Sequence, residues 1–247
     1  MNIFPLSEGT FTIDATKVFR PFDISVDDIQ DRPRGSLIVE IQPFLIKINE
    51  ENILIDTGLG FKGSNGELQI FENLASHNLK PEDITIVLIS HLHIDHAGGI
   101  GRNDVNDNLI LNFPNAVYYI HKKELDYAIE KGEPSYQADS FKRFFDNNKI
   151  KLLTEEEGEI NSFIKYKVVG GHTPFGMAFW IENKSEIAFF GGDVAPQLQQ
   201  MKRSYMAKYD FDGRKSMELR SEWGENAKAY NWEMLFYHDI KNPTYKY

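Results

Sequence analysis

Cysteine is absent from this 247-residue chain. Its absence excludes disulfide scaffolds, thiolate zinc fingers, iron–sulfur clusters and thiol nucleophiles in one step. Any metal ion must therefore be held by His, Asp or Glu side chains.

Positive charge is also scarce, because 27 Lys and Arg stand against 37 Asp and Glu, for a formal net charge of −10. No cluster of basic residues is visible in the sequence, which disfavours a nucleic-acid partner. No apolar run approaches the roughly 18 residues that a membrane span needs, and residues 1–16 lack the basic and apolar regions of a signal peptide. We therefore expect a cytoplasmic protein that acts on a small molecule, without a nucleic-acid or membrane partner. The sequence leaves the oligomeric state open.

Strand and helix patterns interleave along the chain. The apolar positions between Gly35 and Asn49 predict an extended segment, and a turn over residues 49–52 joins it as a β-hairpin to the strand that ends at Asp56. Residues 84–89 form a nearly continuous apolar run, typical of a strand buried on both faces. Further strands are expected at 116–120, 150–153, 159–169, 177–181 and 186–190, and helices at 67–79, 122–131 and 216–228.

No repeat, low-complexity tract or Pro/Gly/Ser-rich linker divides the chain. Hydrophobic residues make up 41% of it, and a domain of this length can bury roughly three-quarters of the surface that its unfolded form exposes. We therefore predict a single α/β domain over residues 1–247, with helices packed outside sheets.

Three of the seven histidines, His91, His93 and His96, fall within six residues directly after the strand that ends near Ile89. A loop at the end of a buried strand is where an α/β fold places its active site. Side chains alternate along an extended segment, so His91 and His93 project to one side. A bend after them lets Asp95 and His96 approach from another direction. This loop could therefore supply two ligands to each of two metal ions, whereas surface histidines without a role would rarely cluster in this way.

The segment His-Leu-His-Ile-Asp-His at 91–96 resembles the HxHxDH motif of the metallo-β-lactamase-fold hydrolases. Four further segments are similar to the other markers of that family and occur in the same order. They are Leu54–Gly58 with the aspartate-bearing turn, Gly170–Pro174 with the next histidine ligand, Gly191–Asp193 with the bridging aspartate, and Tyr237–Asp239 with the final histidine.

This resemblance implies a four-layer αββα sandwich, in which two mixed β-sheets face each other and the helices lie outside. It also implies a dinuclear site at one edge of the sheets. Its ligands would be divided between two ions: His91, His93 and His172 on one, Asp95, His96 and His238 on the other, and Asp193 bridging both. Nitrogen and oxygen ligands suit Zn²⁺, which is the first choice, and also Fe²⁺, Mn²⁺ or Co²⁺.

Asp56 is expected to support the metal-binding loop. It would accept a hydrogen bond from a ligating imidazole or fix the loop backbone, as metal sites commonly require. The alternative is a simple turn residue at the end of a strand.

Three residues outside the ligand set are candidates for the substrate rim. Phe175 stands where the family often has glycine after His-Thr-Pro, which brings an aromatic ring near the site. Met201 and Tyr205 belong to a segment that fits either a lid over an amphiphilic acyl substrate or an ordinary solvated loop. Pro196 occupies a position where related lactonases often carry tyrosine, so any phenol that assists the reaction must come from elsewhere.

The implied activity is hydrolysis by a hydroxide shared between two metal ions, which lower the pKa of water towards neutrality. The last third of the chain resembles the lactonase and organophosphate-hydrolase branch, so the leading substrate is a lactone such as an N-acyl homoserine lactone. Asp95 would pass a proton to the leaving oxygen.

Two other hydrolases are alternatives to the lactonase. A thioester hydrolase of the glyoxalase II type would need a basic patch for the glutathione carboxylates, and a phosphoester or phosphotriester hydrolase would use the same nucleophile. A nuclease is disfavoured by the net charge. A di-iron protein that reduces oxygen or nitric oxide would have a carboxylate in place of His93.

Overall fold

The computed structural model describes residues 1–63, 65–105 and 108–247. The strands in these ranges are β1 (Asn2–Pro5), β2 (Gly9–Ile13), β3 (Arg20–Pro21), β4 (Leu37–Ile41), β5 (Phe44–Ile48), β6 (Glu51–Ile55), β7 (Ile86–Leu88), β8 (Gly101–Asn103), β9 (Leu109–Leu111), β10 (Val117–His121), β11 (Ile150–Leu153), β12 (Glu157–Asn161), β13 (Ile164–Val168), β14 (Met177–Asn183), β15 (Glu186–Phe190), β16 (Glu233–Leu235) and β17 (Thr244–Lys246). The α-helices are α1 (Gln69–Ser76), α2 (Ile94–Ala97), α3 (Lys122–Lys131), α4 (Ala138–Phe141), α5 (Leu198–Met201) and α6 (Gly213–Tyr230).

Two six-stranded mixed sheets form the centre of the fold. The first has the order β1-β5-β6-β7-β10-β11, with parallel pairing from β6 through β11. The second has the order β12-β13-β14-β15-β16-β17, in which β15 and β16 are the parallel pair. The three-stranded sheet β3-β2-β4 and the pair β8-β9 complete the strand pairing of the described residues.

The alternation of side chains along the strands explains the layers. In β6, Ile53 and Ile55 pack into a core shared with Phe179 of the second sheet. Leu54, between them, points the other way and packs with helix α1 and α3 residues. On the second sheet, Phe189 of β15 similarly faces outward onto Trp223 of α6. The predicted αββα sandwich is confirmed, with one core between the sheets and one under each helical layer.

The helix predictions agree closely with the structure. Helix α3 has the predicted bounds, and α6 is longer than predicted at both ends. Its start is fixed by the Asp212 side chain, which accepts a hydrogen bond from the Lys215 N–H, and it ends at Asn231 in the left-handed conformation. None of the helices in the described ranges combines the length and the apolar character that a bilayer span requires.

Two of the predicted extended segments are wrong because each joins two separate strands of the structure. Residues 159–169 form two antiparallel strands, β12 and β13, because the Asn161 side chain accepts hydrogen bonds from the N–H groups of Phe163 and Ile164 and closes a turn. The extended segment from 35 to 49 is divided at Gln42–Pro43 into β4 and β5, which belong to different sheets. The predicted hairpin itself is present, as β5 and β6.

Parallel pairing brings the functional loops to one edge. Strands β6 and β7 are parallel neighbours, so the segments that follow them, with Asp56 and His91, leave the first sheet at the same edge. In the second sheet, β15 and β16 are likewise parallel, and Asp193 and His238 follow their carboxyl ends. The loop that joins β13 to β14 supplies His172. The topology therefore gathers residues that are far apart in the sequence.

Candidate metal centre

The segment after β7 has the shape that its sequence predicts. It bends at Ser90 and reaches His93, whose backbone is extended, and helix α2 begins at the next residue. His91 and His93 therefore lie on one side, with His91 Nε2 3.0 Å from His93 Nδ1. The single helical turn of α2 carries Asp95 and His96, which approach from another direction.

The other predicted ligands meet this loop. His172 Nε2 lies 3.1 Å from His93 Nδ1. Asp193 Oδ1 lies 3.2 Å from His96 Nε2, and Asp193 Oδ2 lies 3.1 Å from His238 Nε2. The ligand atoms form three overlapping groups, with all atoms of a group within 4.8 Å of one another: His91, His93 and His172; His91, His96 and Asp193; Asp95, His96 and His238. The structure thus brings all seven predicted ligands together.

The donor set of this cluster fits divalent cations. His93 Nδ1 lies 3.0 Å from His91 Nε2 and 3.1 Å from His172 Nε2. Between two neutral imidazoles, a hydrogen bond can form only if one of the facing nitrogens carries the shared proton. His96 Nε2 and Asp193 Oδ1 are buried and face each other at 3.2 Å, but neither makes a hydrogen bond of acceptable geometry with any described residue. Buried polar atoms without partners are costly, and a bound cation would satisfy both.

Besides His91, whose Nδ1 lies 3.1 Å from Ser90 Oγ, three of the imidazoles are oriented by hydrogen bonds on the far side of their rings. Each bond occupies one ring nitrogen and leaves the other to face the cluster, which is how metal sites fix the tautomer and the ring plane. The pairs are His96 Nδ1 with Asp56 Oδ2 at 2.8 Å, His172 Nδ1 with Asp210 Oδ1 at 2.9 Å, and His238 Nδ1 with the Glu40 carbonyl oxygen at 2.7 Å.

Asp56 makes both of the contacts that its position in the sequence suggested. Besides the His96 imidazole, its carboxylate accepts hydrogen bonds from the N–H and the hydroxyl of Ser90, each at 2.7 Å. Asp56 is fully buried and has a φ of 57°, in the left-handed region. One carboxylate therefore holds both a ligand ring and the backbone immediately before His91.

Glu124 of α3 connects the two ligand loops and was missed from the sequence. Its carboxyl group accepts hydrogen bonds from the Leu92 N–H at 3.1 Å and from the Thr173 hydroxyl at 2.9 Å. Burial raises the pKa of Glu124 to about 7. A signal was present, because Glu124 shares the apolar face of α3 with Leu125 and Ala128. Asp210, the partner of His172, had no comparable signal.

The cluster is electrostatically polarised. Burial and the neighbouring imidazoles lower the pKa of His91 and His93 well below the usual range. Burial acts in the same direction on His96, but Asp193, Asp95 and Asp56 outweigh it and raise its pKa well above that range. For Asp193, burial is likewise outweighed, and the surrounding histidines lower its pKa. Neutral imidazoles, which metal coordination requires, are thus favoured at one end of the cluster.

The cluster opens into a cavity of about 780 Å³. His93, Asp95, His172, Asp193 and His238 line its floor, and its walls come from the segment around β2 and β3, from β4 and from the segment after α5.

Of the three residues predicted to form the substrate rim, one lines the cavity and two lie elsewhere. Tyr205 lines the cavity and is exposed. Phe175 faces helix α3, with its ring 6.2 Å from that of Tyr127 and the Lys123 ammonium over it. Met201 packs against the core cluster around Trp223, because the turn of α5 directs it towards α6. Phe175 and Met201 are therefore outside the cavity lining.

Tyr209 is a cavity residue that the sequence did not reveal. Its ring lies 5.9 Å from that of His172, and its hydroxyl accepts a hydrogen bond from Gln200 Nε2 at 3.2 Å. Burial raises its pKa, so it stays a phenol at neutral pH. Tyr209 therefore places a phenol at the cavity, although position 196, where related lactonases often carry tyrosine, is proline in this chain.

A four-layer αββα sandwich with a His/Asp cluster of this kind at its sheet edge defines a metallo-hydrolase. The model of the metallo-beta-lactamase superfamily matches residues 41–228. The chain belongs to this superfamily.

The relatives of known sequence include lactonases. An N-acyl homoserine lactonase of Bacillus cereus is 25% identical, and the match covers 62% of this chain and 62% of the relative, which is less than two thirds of its length. The N-acyl homoserine lactonase AttM of Azorhizobium caulinodans is 40% identical over 50 residues, which are 20% of this chain and 15% of that protein.

Solved structures share the whole fold at low identity. A probable metal-dependent hydrolase from Staphylococcus aureus aligns with a TM-score of 0.79 and 24% identity, covering 100% of this chain and 92% of its own. AidC, a dizinc quorum-quenching lactonase, has a TM-score of 0.73 and 20% identity over 98% of this chain and 88% of its own. The hydrolase AbOPH has a TM-score of 0.74 and 21% identity, over 99% and 89%.

Proposed function

We propose that this metallo-hydrolase holds two divalent ions, with Zn²⁺ as the first choice, and cleaves an ester-type bond in a small molecule, with a lactone as the leading substrate. The observation that carries the dinuclear proposal is the position of Asp193. One of its oxygens faces His96, and the other faces His172 and His238, at 3.1–3.5 Å. A single carboxylate between two sets of imidazoles suits a bridge between two ions. The lactonase relatives support the choice of substrate.

The ligand set also indicates what chemistry the proposed ions would supply. Two divalent cations held by these residues would supply the Lewis acidity that makes water nucleophilic near neutral pH and that stabilises charge on a carbonyl oxygen. Within the chain, Tyr237 steadies the second ligand set. Its hydroxyl donates a hydrogen bond to the Asp95 carbonyl oxygen at 2.6 Å, and its ring stacks on His96 at 4.0 Å.

Metal analysis combined with a substrate panel tests the proposed function. We expect two divalent ions per chain and turnover of lactones by the loaded protein. Aryl esters, phosphotriesters and glutathione thioesters in the same panel separate a lactonase from the phosphotriester and thioester alternatives. Stoichiometric metal without hydrolysis of any compound in the panel would refute the proposal.

Asp95 is the residue that we propose as the proton carrier. Its side chain lines the cavity, and its Oδ2 lies 3.5 Å from His238 Nε2. From this position the carboxylate can hold a proton and release it to the leaving oxygen.

Replacement of Asp95 by Asn tests this role. The amide retains an oxygen ligand but cannot transfer the proton, so we expect kcat to fall by roughly 10²- to 10⁴-fold in protein that keeps its metal content. Steady-state kinetics beside metal analysis measures both quantities. Normal turnover by fully loaded Asp95→Asn protein would rule out the proton transfer.

A further inference from the structure

Three basic side chains line the cavity above the metal centre. They are Lys17, from the segment between β2 and β3, and Arg203 and Lys208, from the segment after α5. Acidic residues outnumber basic ones in the chain as a whole, yet none of these three has an ion pair or a side-chain hydrogen bond within the described part of the chain. The basic patch that the sequence could not locate is therefore assembled by the fold from two separate segments.

The carboxylates that line the same cavity leave these cations uncompensated. Asp95 and Asp193 belong to the ligand set, so their charges would be neutralised by bound divalent ions. Asp14 is the other carboxylate of the lining, and it is engaged locally, because its Oδ1 accepts hydrogen bonds from the N–H and the hydroxyl of Thr16. The Lys17 N–H closes the same turn onto the Asp14 carbonyl oxygen at 3.1 Å. The turn therefore fixes the backbone from which Lys17 extends.

Much of the remaining wall is apolar and includes Ile13, Leu37 and Met206, beside polar residues such as Gln199 and Gln200. A ligand that satisfies both kinds of lining has a hydrocarbon portion and a negative charge. Arg203 adds geometric preference, because a guanidinium group binds carboxylate and phosphate through two parallel hydrogen bonds.

We propose that the cavity takes a substrate with an anionic group, a carboxylate or a phosphate, apart from the bond that is cleaved, and that Lys17, Arg203 and Lys208 bind this group. The inference rests on the proposed function and narrows its substrate class. A neutral N-acyl homoserine lactone would fill the apolar wall and leave the three cations unused. A lactone or thioester that carries a charged side chain would use both.

The test compares lactones that share one scaffold and differ at the end of the side chain, which is a carboxamide, a carboxylate or a phosphate. The metal-loaded wild-type protein should favour a charged form in kcat/KM by about tenfold, and the preference should fall as salt is added. The carboxylate and phosphate arms identify which anion is preferred. Equal kcat/KM for all three compounds would overturn the inference and leave the lactonase proposal intact.

Variants of the three basic residues test whether these side chains cause the preference for charged lactones. In the triple variant Lys17→Gln, Arg203→Gln, Lys208→Gln, KM for the charged lactone should rise about tenfold, with little change in kcat, because the lost contacts bind substrate and transition state alike. The carboxamide should be unaffected. A matched control with the same change in net charge is Lys202→Gln, Lys228→Gln, Lys246→Gln, whose residues lie outside the cavity lining. A charge preference retained in the cavity variant, or lost in the control, would contradict the assignment.

Binding measurements keep the inference testable if no lactone is hydrolysed, an outcome that would count against the proposed function alone. Calorimetric titration with lactam analogues of the carboxylate and carboxamide compounds should show tighter binding of the charged analogue to the wild-type protein. The cavity triple variant, at the same metal content, should lose that difference. Equal affinities in the wild-type protein would refute the charged subsite.

Discussion

At the scale of single residues, Asp56 shows how one buried carboxylate organises a metal centre without facing the cavity. It holds the His96 imidazole and the Ser90 backbone and hydroxyl at the same time. Replacing it with Ala should weaken metal binding by about 10- to 100-fold, as loss of such outer partners commonly does. Competition with a chelator measures the affinity. Ser90→Ala removes one of the three hydrogen bonds to Asp56 and also the contact of Ser90 Oγ with His91 Nδ1, and it should have a smaller effect because the bond between Asp56 and His96 remains. Unchanged metal affinity in Asp56→Ala would contradict the role.

Glu8 should make stability depend on pH. Burial raises the pKa of its carboxyl group to about 8, even though Oε2 accepts a hydrogen bond from the Leu59 N–H at 2.7 Å. The folded protein therefore keeps a proton that the unfolded chain loses above the usual carboxyl pKa of 4.5. The stability contribution is complete below 4.5 and declines as the pH rises to about 8.

The variant Glu8→Gln removes this titration. Relative to the wild-type protein, its free energy of unfolding should improve by roughly 3 to 4 kcal/mol between pH 5 and pH 8. Urea unfolding at the two pH values provides the comparison. A constant difference between the two proteins across this range would show that Glu8 does not titrate as stated.

At the scale of elements, α3 does more than cover the first sheet, because its Glu124 ties the loop of His91 and His93 to the loop of His172. Glu124→Leu fits an apolar helix face but leaves the Leu92 N–H and the Thr173 hydroxyl unpaired, which costs about 1–3 kcal/mol. Thermal unfolding of the metal-free protein measures the loss. Glu124→Gln, which still accepts the Leu92 hydrogen bond, is the control, and equal stability of the Leu variant and the wild-type protein would refute the connection.

The bounds of the helices and strands show which features a sequence pattern can predict and which it cannot. Helix α3 was predicted residue for residue because its apolar period is framed by a strand and by Gly132. The segment from 159 to 169 alternates in the same way on both sides of its turn, so alternation alone could not divide it. The Asn161 turn contains neither glycine nor proline, and it depends on side-chain hydrogen bonds to Phe163 and Ile164.

At the scale of the whole molecule, the seven residues of the candidate metal centre could be recognised from their order along the chain. The residues that hold their loops in place could not. Asp95 and His96 lie in a local motif that any fold would keep together. Arg220 is buried and donates hydrogen bonds to the carbonyl oxygens of Val194 and Tyr205, so it joins the loop after Asp193 to the cavity wall. Such contacts depend on how layers pack, and packing leaves no spacing rule in the sequence.

The polarised cluster predicts that binding of the two proposed ions depends unequally on pH. His91 and His93, with lowered pKa values, bind an ion at neutral pH without releasing protons. His96, whose pKa lies well above the usual range, carries a proton in the metal-free protein near neutral pH and must release it, and the raised pKa of His238 acts in the same direction. As the pH falls, the ion held by Asp95, His96 and His238 should therefore be lost first.

Calorimetric titration in buffers of different ionisation enthalpy measures how many protons are released when each ion binds. At pH 7 we expect fewer protons to be released by the first ion than by the second. His96→Gln, which removes the ring with the strongly raised pKa, should lower the count for the second ion and leave the first unchanged. Equal proton release for both ions would contradict the polarity of the site.

The hydrogen bond between His238 Nδ1 and the Glu40 carbonyl oxygen joins positions that are 198 residues apart. A ribosome makes β4 early and the His238 segment late, so the HxHxDH loop leaves it long before its last partners exist. During that interval the loop can hold an ion only weakly, with a few of its eventual donors. A site that needs all seven side chains can therefore be completed only after synthesis has passed His238.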